Sequence, residues 1–310
     1  MQPTGAQNRQ HFGELYVLLG AILWGTTGTA QAFANPAAQP VTIGASRLLV
    51  GGLVLLIPVL VQGGGGRLFQ PLPLFLVAAI SSLLYQVTFF SAVKITGVAI
   101  GTIVGIGSSP VFAGILGWLI RGERPGRRWW PATMLSIIGI VLVGLESESG
   151  NVSLVGIFLA LAAGLSYAVL AVAMKNILQQ KNDPLSVTCG IFVLAGMLSL
   201  PVFFFYDISW IKEADGFGVV VYLGAVTGAL AYYLFNSGLR HVHVATAGTL
   251  TMGEPMTAGL LGVLVLGERL STVGWLGIVL LTGGLLLLTL PAQWGRWLAH
   301  ALAKKGIGRG

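Results

Sequence analysis

Charged residues are scarce in this chain of 310 residues. They make up 9% of the sequence, whereas hydrophobic residues make up 55%. An ordinary globular chain carries roughly 25% charged residues. With so few charges the chain cannot cover a water-exposed surface, which excludes a soluble protein. Most of its outside must face lipid, and the composition predicts a polytopic membrane protein.

Cysteine occurs once, as Cys189, which excludes an intramolecular disulfide. The chain also lacks the HExxH and GxSxG motifs of hydrolases and the GxxxxGK[ST] phosphate loop. These absences argue against an integral-membrane enzyme and against direct drive by ATP, and we expect no catalytic residues, no cofactor and no metal. The net charge of +7 is scattered along the chain, so no nucleic-acid partner is expected.

Long apolar runs, by contrast, fill most of the sequence. A run of about 20 apolar residues is long enough to span a bilayer as a helix. Ten such runs are predicted, at 14–34, 39–61, 72–93, 97–119, 129–145, 152–174, 184–205, 216–238, 244–266 and 272–291. The connections are short, which predicts one ten-helix domain over 14–291 between a cytoplasmic tail at 1–13 and another at 292–310.

The lysines and arginines lie unevenly between these runs. If the N-terminus is cytoplasmic, three of them fall outside (Lys94, Lys212 and Arg269), and thirteen fall on the cytoplasmic side: Arg9, Arg67, Arg121, Arg124, Arg127, Arg128, Lys175, Lys181, Arg240, Arg296, Lys304, Lys305 and Arg309. Cytoplasmic loops carry such an excess of positive charge. The bias predicts that both termini are cytoplasmic.

The two halves of the chain resemble each other. A shift of 145 residues aligns Pro110 with Pro255, Ala113 with Ala258, Gly117 with Gly262 and Gly122-Glu123-Arg124 with Gly267-Glu268-Arg269; a shift of 146 aligns Phe89 with Phe235, and a shift of 143 aligns Gly13 with Gly156 and Trp24 with Tyr167. Compatible shifts in the same order indicate two copies of a five-helix unit, at 14–145 and 152–291.

An odd number of spans in each unit has a topological consequence. The second copy enters the membrane from the opposite side and is therefore inverted. Inverted repeats are a recurring plan of secondary transporters, which bind cargo near the midplane between the repeats. We therefore predict an all-α integral membrane protein with ten transmembrane helices, arranged as two inverted five-helix repeats around a central cavity.

This arrangement resembles a known family. Ten helices in a five-plus-five repeat, with Pro110 in the fourth span, Pro255 in the ninth and a GER sequence after each, are similar to the EamA-type members of the drug/metabolite transporter superfamily. Within it, the bacterial aromatic amino acid exporters are the nearest likeness. The resemblance implies a basket-like bundle in the bacterial inner membrane that exports amino acids or related metabolites.

Glu254 lies near the middle of the ninth span. A charged side chain at the bilayer centre costs at least about 2.5–3.5 kcal/mol unless it is paired, hydrated or neutralised. We therefore expect Glu254 to face the cavity, where it could contact substrate, exchange a proton or tie the helix to a neighbour. The repeat places Ser109 at the matching position of the first half, so the carboxylate is a feature of one half alone.

Pro110 and Pro255 interrupt their helices at matching positions. A proline has no N–H, so the carbonyls of Ile106 and Thr251 are expected to be free for water, a hydroxyl or a ligand's ammonium. Kinked helices near the midplane are where transporters build their sites. Both prolines are predicted hinges, with kinks that serve packing alone as the alternative.

Polar and aromatic residues recur deep in the spans. A cavity lined by them would be aromatic and weakly polar, which favours a neutral or zwitterionic ligand with an apolar body. For each residue the alternative is packing or a hydrogen bond between helices. The predicted substrate-binding residues are Trp24, Tyr85, Gln86, Phe89, Ser108, Tyr167, Tyr232, Asn236, Thr251 and Glu254.

Several other residues have interfacial or open interpretations. Arg47, inside the second span, could reach the interface, pair with a carboxylate, or serve as a gate or a ligand for a substrate carboxylate. Lys175 at a span end is expected at the interface. The tryptophans at 129, 130, 294 and 297 are typical of an interfacial belt.

The function predicted from the sequence is secondary transport by alternating access. Its expected cargo is a small neutral or zwitterionic metabolite, in particular an aromatic or other hydrophobic amino acid, and protons and the lipid bilayer are its other expected partners. The alternatives are export of drugs or nucleoside-type metabolites, a membrane enzyme, or a channel.

Overall fold

The computed structural model describes residues 5–33, 38–63, 68–96, 98–144, 153–180, 182–267 and 269–290. Within these ranges the chain forms helices and no strand. The α-helices are α1 (Gly5–Ala32), α2 (Pro40–Val61), α3 (Leu72–Thr96), α4 (Val98–Arg121), α5 (Trp129–Gly144), α6 (Leu154–Gln179), α7 (Pro184–Ser199), α8 (Val202–Phe205), α9 (Ala214–Tyr222), α10 (Ala231–Leu239), α11 (Val244–Leu250), α12 (Gly253–Leu264) and α13 (Thr272–Thr289). A short 3₁₀ turn (Ser209–Lys212) precedes α9, and a π-helical stretch (Leu223–Leu230) joins α9 to α10.

Seven helical segments in the described part of the chain are long and apolar enough to cross a bilayer. They are Val41–Val61, Leu72–Phe89, Gly101–Arg121, Leu154–Gln179, Pro184–Phe205, Ala214–Leu239 and Thr272–Thr289, and a shorter apolar helix runs over Trp129–Val143. They confirm a multi-pass helical membrane protein. Length and composition alone do not reach the predicted ten. α5 has 16 residues, the ninth predicted span is divided into helices of 7 and 12 residues, and α1 is long enough but not among the sufficiently apolar segments.

The first helix begins earlier than predicted. α1 starts at Gly5, so most of the predicted tail at 1–13 is helical. The sequence GAQNRQH contains good helix formers and no proline, so the helix can continue beyond its apolar part. The other end of α1 is rich in threonine, which lowers its hydropathy. The predicted tail at 292–310 lies outside the described residues.

The main helix contacts join the first half of the chain (α1–α5) to the second half (α6–α13). The principal pairs are α3–α6, α4–α6, α5–α13, α2–α7, α1–α10 and α1–α12. Each helix of the first half can be exchanged with its counterpart in the second half: α1 with α6, α2 with α7, α3 with α10, α4 with α12 and α5 with α13. Under this exchange the α3–α6 contact becomes the α1–α10 contact, and the α4–α6 contact becomes the α1–α12 contact. The same exchange maps α2–α7 and α5–α13 onto themselves. The contacts therefore follow a two-fold pattern.

Small residues allow these close crossings. A Cβ atom on Gly139 of α5 would lie 2.7 Å from the Gly277 carbonyl of α13. Gly13 and Gly156, which the sequence repeat aligns, are equally tight: a Cβ on Gly13 would meet the Gly238 carbonyl at 3.0 Å, and one on Gly156 would meet Thr96 at 2.1 Å. Backbones that approach this closely pack well without a hydrophobic driving force.

The glycine of each GER sequence ends a helix. Gly122 follows α4 with a φ of 66°, and Gly267 follows α12 with a φ of 71°. After α4 the Gly122 N–H donates to the Trp118 carbonyl at 2.9 Å and the Glu123 N–H donates to the Gly117 carbonyl at 3.0 Å. The bond from the Gly122 N–H to the Trp118 carbonyl is that of the αL C-cap motif, which glycine favours because it adopts positive φ without strain.

Candidate functional site

Five aromatic rings from both halves of the chain form a cluster inside the bundle, which we call the aromatic cluster. It consists of Trp24 of α1, Tyr85 of α3, Tyr167 of α6, and Tyr232 and Phe235 of α10. The ring centroids of Trp24 lie 4.6 Å from Tyr232 and 5.2 Å from Phe235. Those of Tyr167 lie 6.0 Å from Tyr85 and 6.4 Å from Phe235. Four of these five were predicted as substrate-binding residues.

Two charged side chains lie beside the aromatic cluster. The Arg47 guanidinium of α2 is 5.9 Å from the ring centroid of Tyr232. Glu254, in the first turn of α12, is partly buried, and its main chain packs on Gly25, the residue after Trp24: a Cβ on Gly25 would lie 2.6 Å from the Glu254 carbonyl oxygen. No nitrogen of Arg47 lies within 4 Å of the Glu254 carboxylate, so the two do not form a direct ion pair. The site combines aromatic walls with one positive and one negative group.

Arg47 is held by an irregular backbone. Its Nη2 donates to the Thr227 carbonyl at 2.7 Å. Thr227 lies in the π-helical stretch, where the wider turn displaces carbonyls from regular α-helical bonding. π-helical turns occur frequently at functional sites. The contact places a guanidinium from the first half against an irregular segment of the second half.

The ninth predicted span is broken beside Glu254. α11 ends at Leu250, α12 begins at Gly253, and Thr251 and Met252 form the turn between them. α4, in contrast, passes through Pro110 as one helix. The two prolines therefore occupy matching positions but have different effects, and their role as hinges remains a prediction.

The two carbonyls that we expected to be free are both occupied. The Thr251 carbonyl accepts the Glu254 N–H at 2.9 Å, because the turn brings the N–H three residues later within reach. The Ile106 carbonyl accepts the hydroxyl of Ser109 at 2.8 Å. A short polar side chain one turn later thus replaces the N–H that Pro110 lacks. The Ile106 carbonyl therefore meets a hydroxyl, as expected, whereas the Thr251 carbonyl is taken by a backbone N–H, so the expectation was wrong for Thr251.

Phe89 and Thr251 border the aromatic cluster. Phe89 stacks on Tyr85 with a centroid distance of 5.7 Å and an interplanar angle of 18°. Thr251 is buried, and its hydroxyl donates to the Gly248 carbonyl at 2.8 Å. Their positions are compatible with the predicted role, which stays a prediction.

Three other predicted residues lie away from the aromatic cluster or face neighbouring helices. Asn236 is fully buried and donates from Nδ2 to the Thr188 hydroxyl of α7 at 2.8 Å. Gln86 lines a separate cavity between α2, α3 and α8. Ser108 abuts Gly164 of α6 at a close helix crossing. These contacts place all three side chains against neighbouring helices, and their predicted role in substrate binding stays a prediction.

A larger cavity opens where α1 ends and α9 begins. Its volume is about 420 Å³, and its lining residues are Thr26, Thr29, Ala30, Phe33, Gly218, Val219, Tyr222 and Leu261. The hydroxyls of Thr26 and Tyr222 lie 2.8 Å apart in a hydrogen bond. Leu261 lies seven residues after Glu254 on the same face of α12, about 10 Å along the axis. The cavity therefore lies above the aromatic cluster on the α12 side.

The opposite end of the bundle is joined by buried charges, which we call the Glu123 cluster (Arg121, Glu123, Lys175 and Asn176). Glu123 Oε1 accepts from Arg121 Nε at 2.7 Å and lies 3.0 Å from Lys175 Nζ, while Oε2 accepts the Val244 N–H at 2.8 Å. Arg121 also donates to Asn176, and Lys175 to the Val242 carbonyl. The cluster connects the ends of α4 and α6 to the start of α11.

Glu123 is charged in this setting. Burial alone would raise the pKa of its carboxyl group, but the Val244 N–H, the Arg121 guanidinium and the Lys175 ammonium outweigh burial and lower that pKa. Lys175, expected at the interface, is 3% exposed instead, because this carboxylate offsets its burial. The GER sequence thus has a second role beyond ending a helix.

Trp129 differs from its predicted role as an interfacial anchor. It is 5% exposed, and its indole N–H donates to the Ala245 carbonyl of α11 at 2.9 Å. A buried indole needs such a partner. Trp130 is 59% exposed, as an anchor would be. Residues 294 and 297 lie outside the described residues.

With this geometry the chain can be compared with known proteins. The model of the EamA-like transporter family matches it twice, at residues 11–145 and at residues 154–290. The chain belongs to the EamA-like transporter family. The two matches correspond to the two halves that the sequence repeat separates.

Relatives of this EamA-like transporter come from distant microbes. The uncharacterized transporter YwfM of Bacillus subtilis is 40% identical over 275 residues, which cover 89% of this chain and 93% of YwfM. An uncharacterized transporter of Archaeoglobus fulgidus is 27% identical over 89% of this chain and 96% of its own length. YicL, an uncharacterized inner membrane transporter of Salmonella typhimurium, is 25% identical over 91% of this chain and 96% of its own length. None of these names includes a substrate.

A solved crystal structure shares the fold of this EamA-like transporter. It superimposes with a TM-score of 0.79 at 22% identity, over 91% of this chain and 97% of the other chain. At that identity the likeness supports the fold alone. The expected EamA resemblance is confirmed, whereas the narrower likeness to aromatic amino acid exporters stays a prediction.

Sequence reasoning missed three features of this EamA-like transporter. The π-helical stretch has no recognisable sequence signal, so the contact between Arg47 and Thr227 was not foreseen. Phe235 was used only to align the repeat, although its spacing of three residues from Tyr232 places both on one helix face. The Glu123 cluster had a signal, since Glu123 and Lys175 are opposite charges at span ends predicted on the same side.

Proposed function

We propose that this protein is a secondary transporter that exports small neutral or zwitterionic metabolites, in particular aromatic or other hydrophobic amino acids, by alternating access. The aromatic cluster carries this proposal. It is built by helices of both halves, lies inside the bundle and has one cationic and one anionic side chain beside it. Such a site offers stacking area to an apolar body and opposite charges to a zwitterion.

The two-fold pattern of helix contacts supports two inverted repeats with ten spans. Exchanging each first-half helix with its counterpart preserves the main contacts. The family model also matches each half separately. Two units that exchange conformations can open the central site first to one side and then to the other.

The charge bias of the loops supports cytoplasmic termini. In this orientation the Glu123 cluster lies on the cytoplasmic side and the cavity of about 420 Å³ opens to the outside. The structure then represents a state closed toward the cytoplasm. Export requires the reverse state as well, in which α4, α6 and α11 separate at the Glu123 cluster.

Counterflow in proteoliposomes tests this function. Vesicles loaded with unlabelled phenylalanine should accumulate labelled phenylalanine transiently, and the rate should saturate with concentration. A panel of other amino acids, nucleosides and drug cations, tested as competitors, defines the cargo class. Flux that never saturates and shows no counterflow would indicate a channel, and counterflow of nucleosides or drug cations alone would overturn the proposed cargo.

A further inference from the structure

Arg47 has more hydrogen-bonding capacity than the protein uses. A guanidinium has five N–H donors and always carries its charge. Nη2 donates to Thr227, whereas the buried Nε has no hydrogen-bond partner in the part of the chain that the structure describes. The face of Tyr232 supplies a cation–π contact but no acceptor for an N–H in the guanidinium plane. The charge beside the aromatic cluster thus lacks an anionic partner.

Two further donors at the aromatic cluster are also unused. The indole N–H of Trp24 and the hydroxyl of Tyr167 are buried and have no hydrogen-bond partner among the described residues. The Thr251 hydroxyl lies near the Tyr167 hydroxyl and donates its own proton to the Gly248 carbonyl at 2.8 Å, but the two hydroxyls do not reach hydrogen-bond geometry with each other. Leaving a buried polar group without a partner destabilises the folded protein, so such groups rarely persist without a role.

The unused groups share a chemistry. Arg47 Nε and Trp24 Nε1 are donors only, and the Tyr167 hydroxyl donates when it meets an acceptor. Arg47 and Trp24 both lie beside the ring of Tyr232. A carboxylate has two oxygens that accept several hydrogen bonds and carries the charge that Arg47 lacks.

Glu254 provides the complementary charge. Its main chain packs on Gly25, beside Trp24, and both Trp24 and Arg47 contact Tyr232, yet the Glu254 and Arg47 side chains are too far apart for a direct ion pair. A ligand whose ammonium and carboxylate groups are attached to the same carbon can meet the anion with one group and the cation with the other. The main chain groups of an α-amino acid have this arrangement.

We propose that Arg47 binds the carboxylate of the cargo while Glu254 binds its ammonium group, so that the site selects α-amino acid zwitterions. This inference rests on the proposed transport function and adds a recognition rule to it. The donors of Trp24 and Tyr167 complete the carboxylate subsite, and the surrounding rings hold the side chain. An amine without the carboxylate leaves Arg47 unpaired, and an acid without the amine leaves Glu254 unpaired.

Counterflow with three matched compounds tests the rule. Phenylalanine carries both groups, phenylalaninamide lacks the carboxylate, and 3-phenylpropionate lacks the amine. For the unaltered protein, half-saturation should need roughly 10- to 100-fold more of either analogue than of phenylalanine. Transport of phenylalanine and its amide with equal half-saturation would overturn the recognition rule and leave the transport function standing. Transport of none of the three would overturn both.

Substitutions separate the two subsites. Arg47→Gln should reduce the preference for phenylalanine over its amide to within about threefold and keep the preference over 3-phenylpropionate. Glu254→Gln should reduce the preference for phenylalanine over 3-phenylpropionate and keep the preference over phenylalaninamide. Arg47→Lys keeps the charge and should retain part of the carboxylate preference, while Arg240→Gln, at an exposed position, serves as the control. If Arg47→Gln keeps the full preference, the rule is wrong.

Folding must be separated from recognition. Each variant is first checked by size-exclusion chromatography in detergent, and ligand-induced stabilisation is measured for each compound. If Arg47→Gln does not fold, the Arg47→Lys variant and the three compounds with the unaltered protein still decide the matter. Equal stabilisation of the unaltered protein by phenylalanine and its amide would contradict the inference without any variant.

Discussion

Single charged residues define the chemistry of the site. Glu254 lies where a helix break, an aromatic wall and a cation meet, and its carboxylate forms no direct ion pair within the part of the chain that the structure describes. A carboxylate in this position can bind a cargo ammonium or a proton, but not both at once. Competition between the two would couple export to proton entry.

Glu254→Gln tests proton coupling. In the unaltered protein an imposed pH gradient should stimulate transport of phenylalanine, because Glu254 must lose a proton before it binds the ammonium group. The glutamine variant has no proton to exchange, so its residual transport should not respond to the gradient. The measurement is counterflow and gradient-driven flux in proteoliposomes at several pH values.

The matched control is Asp215→Asn, which removes an exposed carboxylate at the start of α9. It should leave both the rate and the gradient response unchanged. If Glu254→Gln keeps the full response to the pH gradient, Glu254 is not the coupling group.

Tyr232 contacts both Trp24 and Arg47, so its ring should matter for affinity. Tyr232→Ala removes the stacking surface and should raise the KM for phenylalanine roughly tenfold. Tyr232→Phe keeps the ring and should stay within about threefold. Equal KM values for both variants and the unaltered protein would place the cargo elsewhere.

At the scale of helices, the contact between α1 and α12 controls where Glu254 lies. A Cβ on Gly25 would meet Thr257 Cβ at 2.5 Å and the Glu254 carbonyl at 2.6 Å, so α12 packs directly on the α1 backbone. One turn later, a Cβ on Gly28 would meet nothing within 4 Å. The two glycines form a matched pair on one helix.

Gly25→Ala should therefore push α12 away from α1 and destabilise the protein by about 1–3 kcal/mol, as overpacking does. Gly28→Ala should change stability by no more than about 0.5 kcal/mol. The apparent Tm in detergent and the counterflow rate measure the difference. A Gly25→Ala protein as stable and active as Gly28→Ala would show that the α1–α12 contact is looser than described.

The Glu123 cluster joins α4, α6 and α11, and its strength depends on the charge of Glu123. The folded pKa of this carboxyl group lies below its ordinary value. Its stabilisation is therefore complete above the ordinary pKa and is lost as the pH falls through the folded pKa. At pH 7, Glu123→Gln should reduce the free energy of unfolding by about 1–3 kcal/mol and therefore lower the apparent Tm.

The difference in Tm between Glu123→Gln and the unaltered protein should then shrink as the pH falls below 4. Arg124→Gln, at an exposed neighbouring position, is the control and should have little effect. A Tm difference that stays constant down to low pH would contradict the role of the charged carboxylate.

The helices were largely predictable from the sequence, since each predicted span coincides with one helix or a run of helical segments. The length of each apolar run is enough to predict where a helix lies. The break at Thr251–Met252 was foreseen only as a kink at Pro255, and the two carbonyls expected to be free are bonded. Local hydrogen bonds to a nearby N–H or hydroxyl depend on backbone geometry that spacing does not reveal.

The sequence predicted the aromatic character of the site better than it predicted which individual residues form it. Trp24, Tyr85, Tyr167 and Tyr232 meet in one cluster, as aromatic residues deep in spans of both halves suggested. Asn236 faces α7 instead. A buried amide group needs a hydrogen-bond partner, and the Thr188 hydroxyl of α7 accepts a hydrogen bond from Asn236. Which face of a helix meets which neighbour is a tertiary property, and the sequence pattern alone does not determine it.

At the scale of the whole molecule, the alternating-access proposal together with the two-fold contact pattern predicts reciprocal motion. The end with the Glu123 cluster is joined by buried charges, and the opposite end contains a cavity. In an alternating-access transporter, cargo must open one end as it closes the other. Cys189 is buried, so single reporter cysteines can be introduced with little background.

Reciprocal labelling tests this central claim most directly. One reporter replaces Thr29, which lines the cavity, and another replaces Val242, whose carbonyl binds Lys175. Adding phenylalanine to vesicles should slow the reaction of a membrane-impermeant thiol reagent at position 29 and speed its reaction at position 242. If both positions react freely at once, or neither changes with cargo, the protein does not work by alternating access around the aromatic cluster.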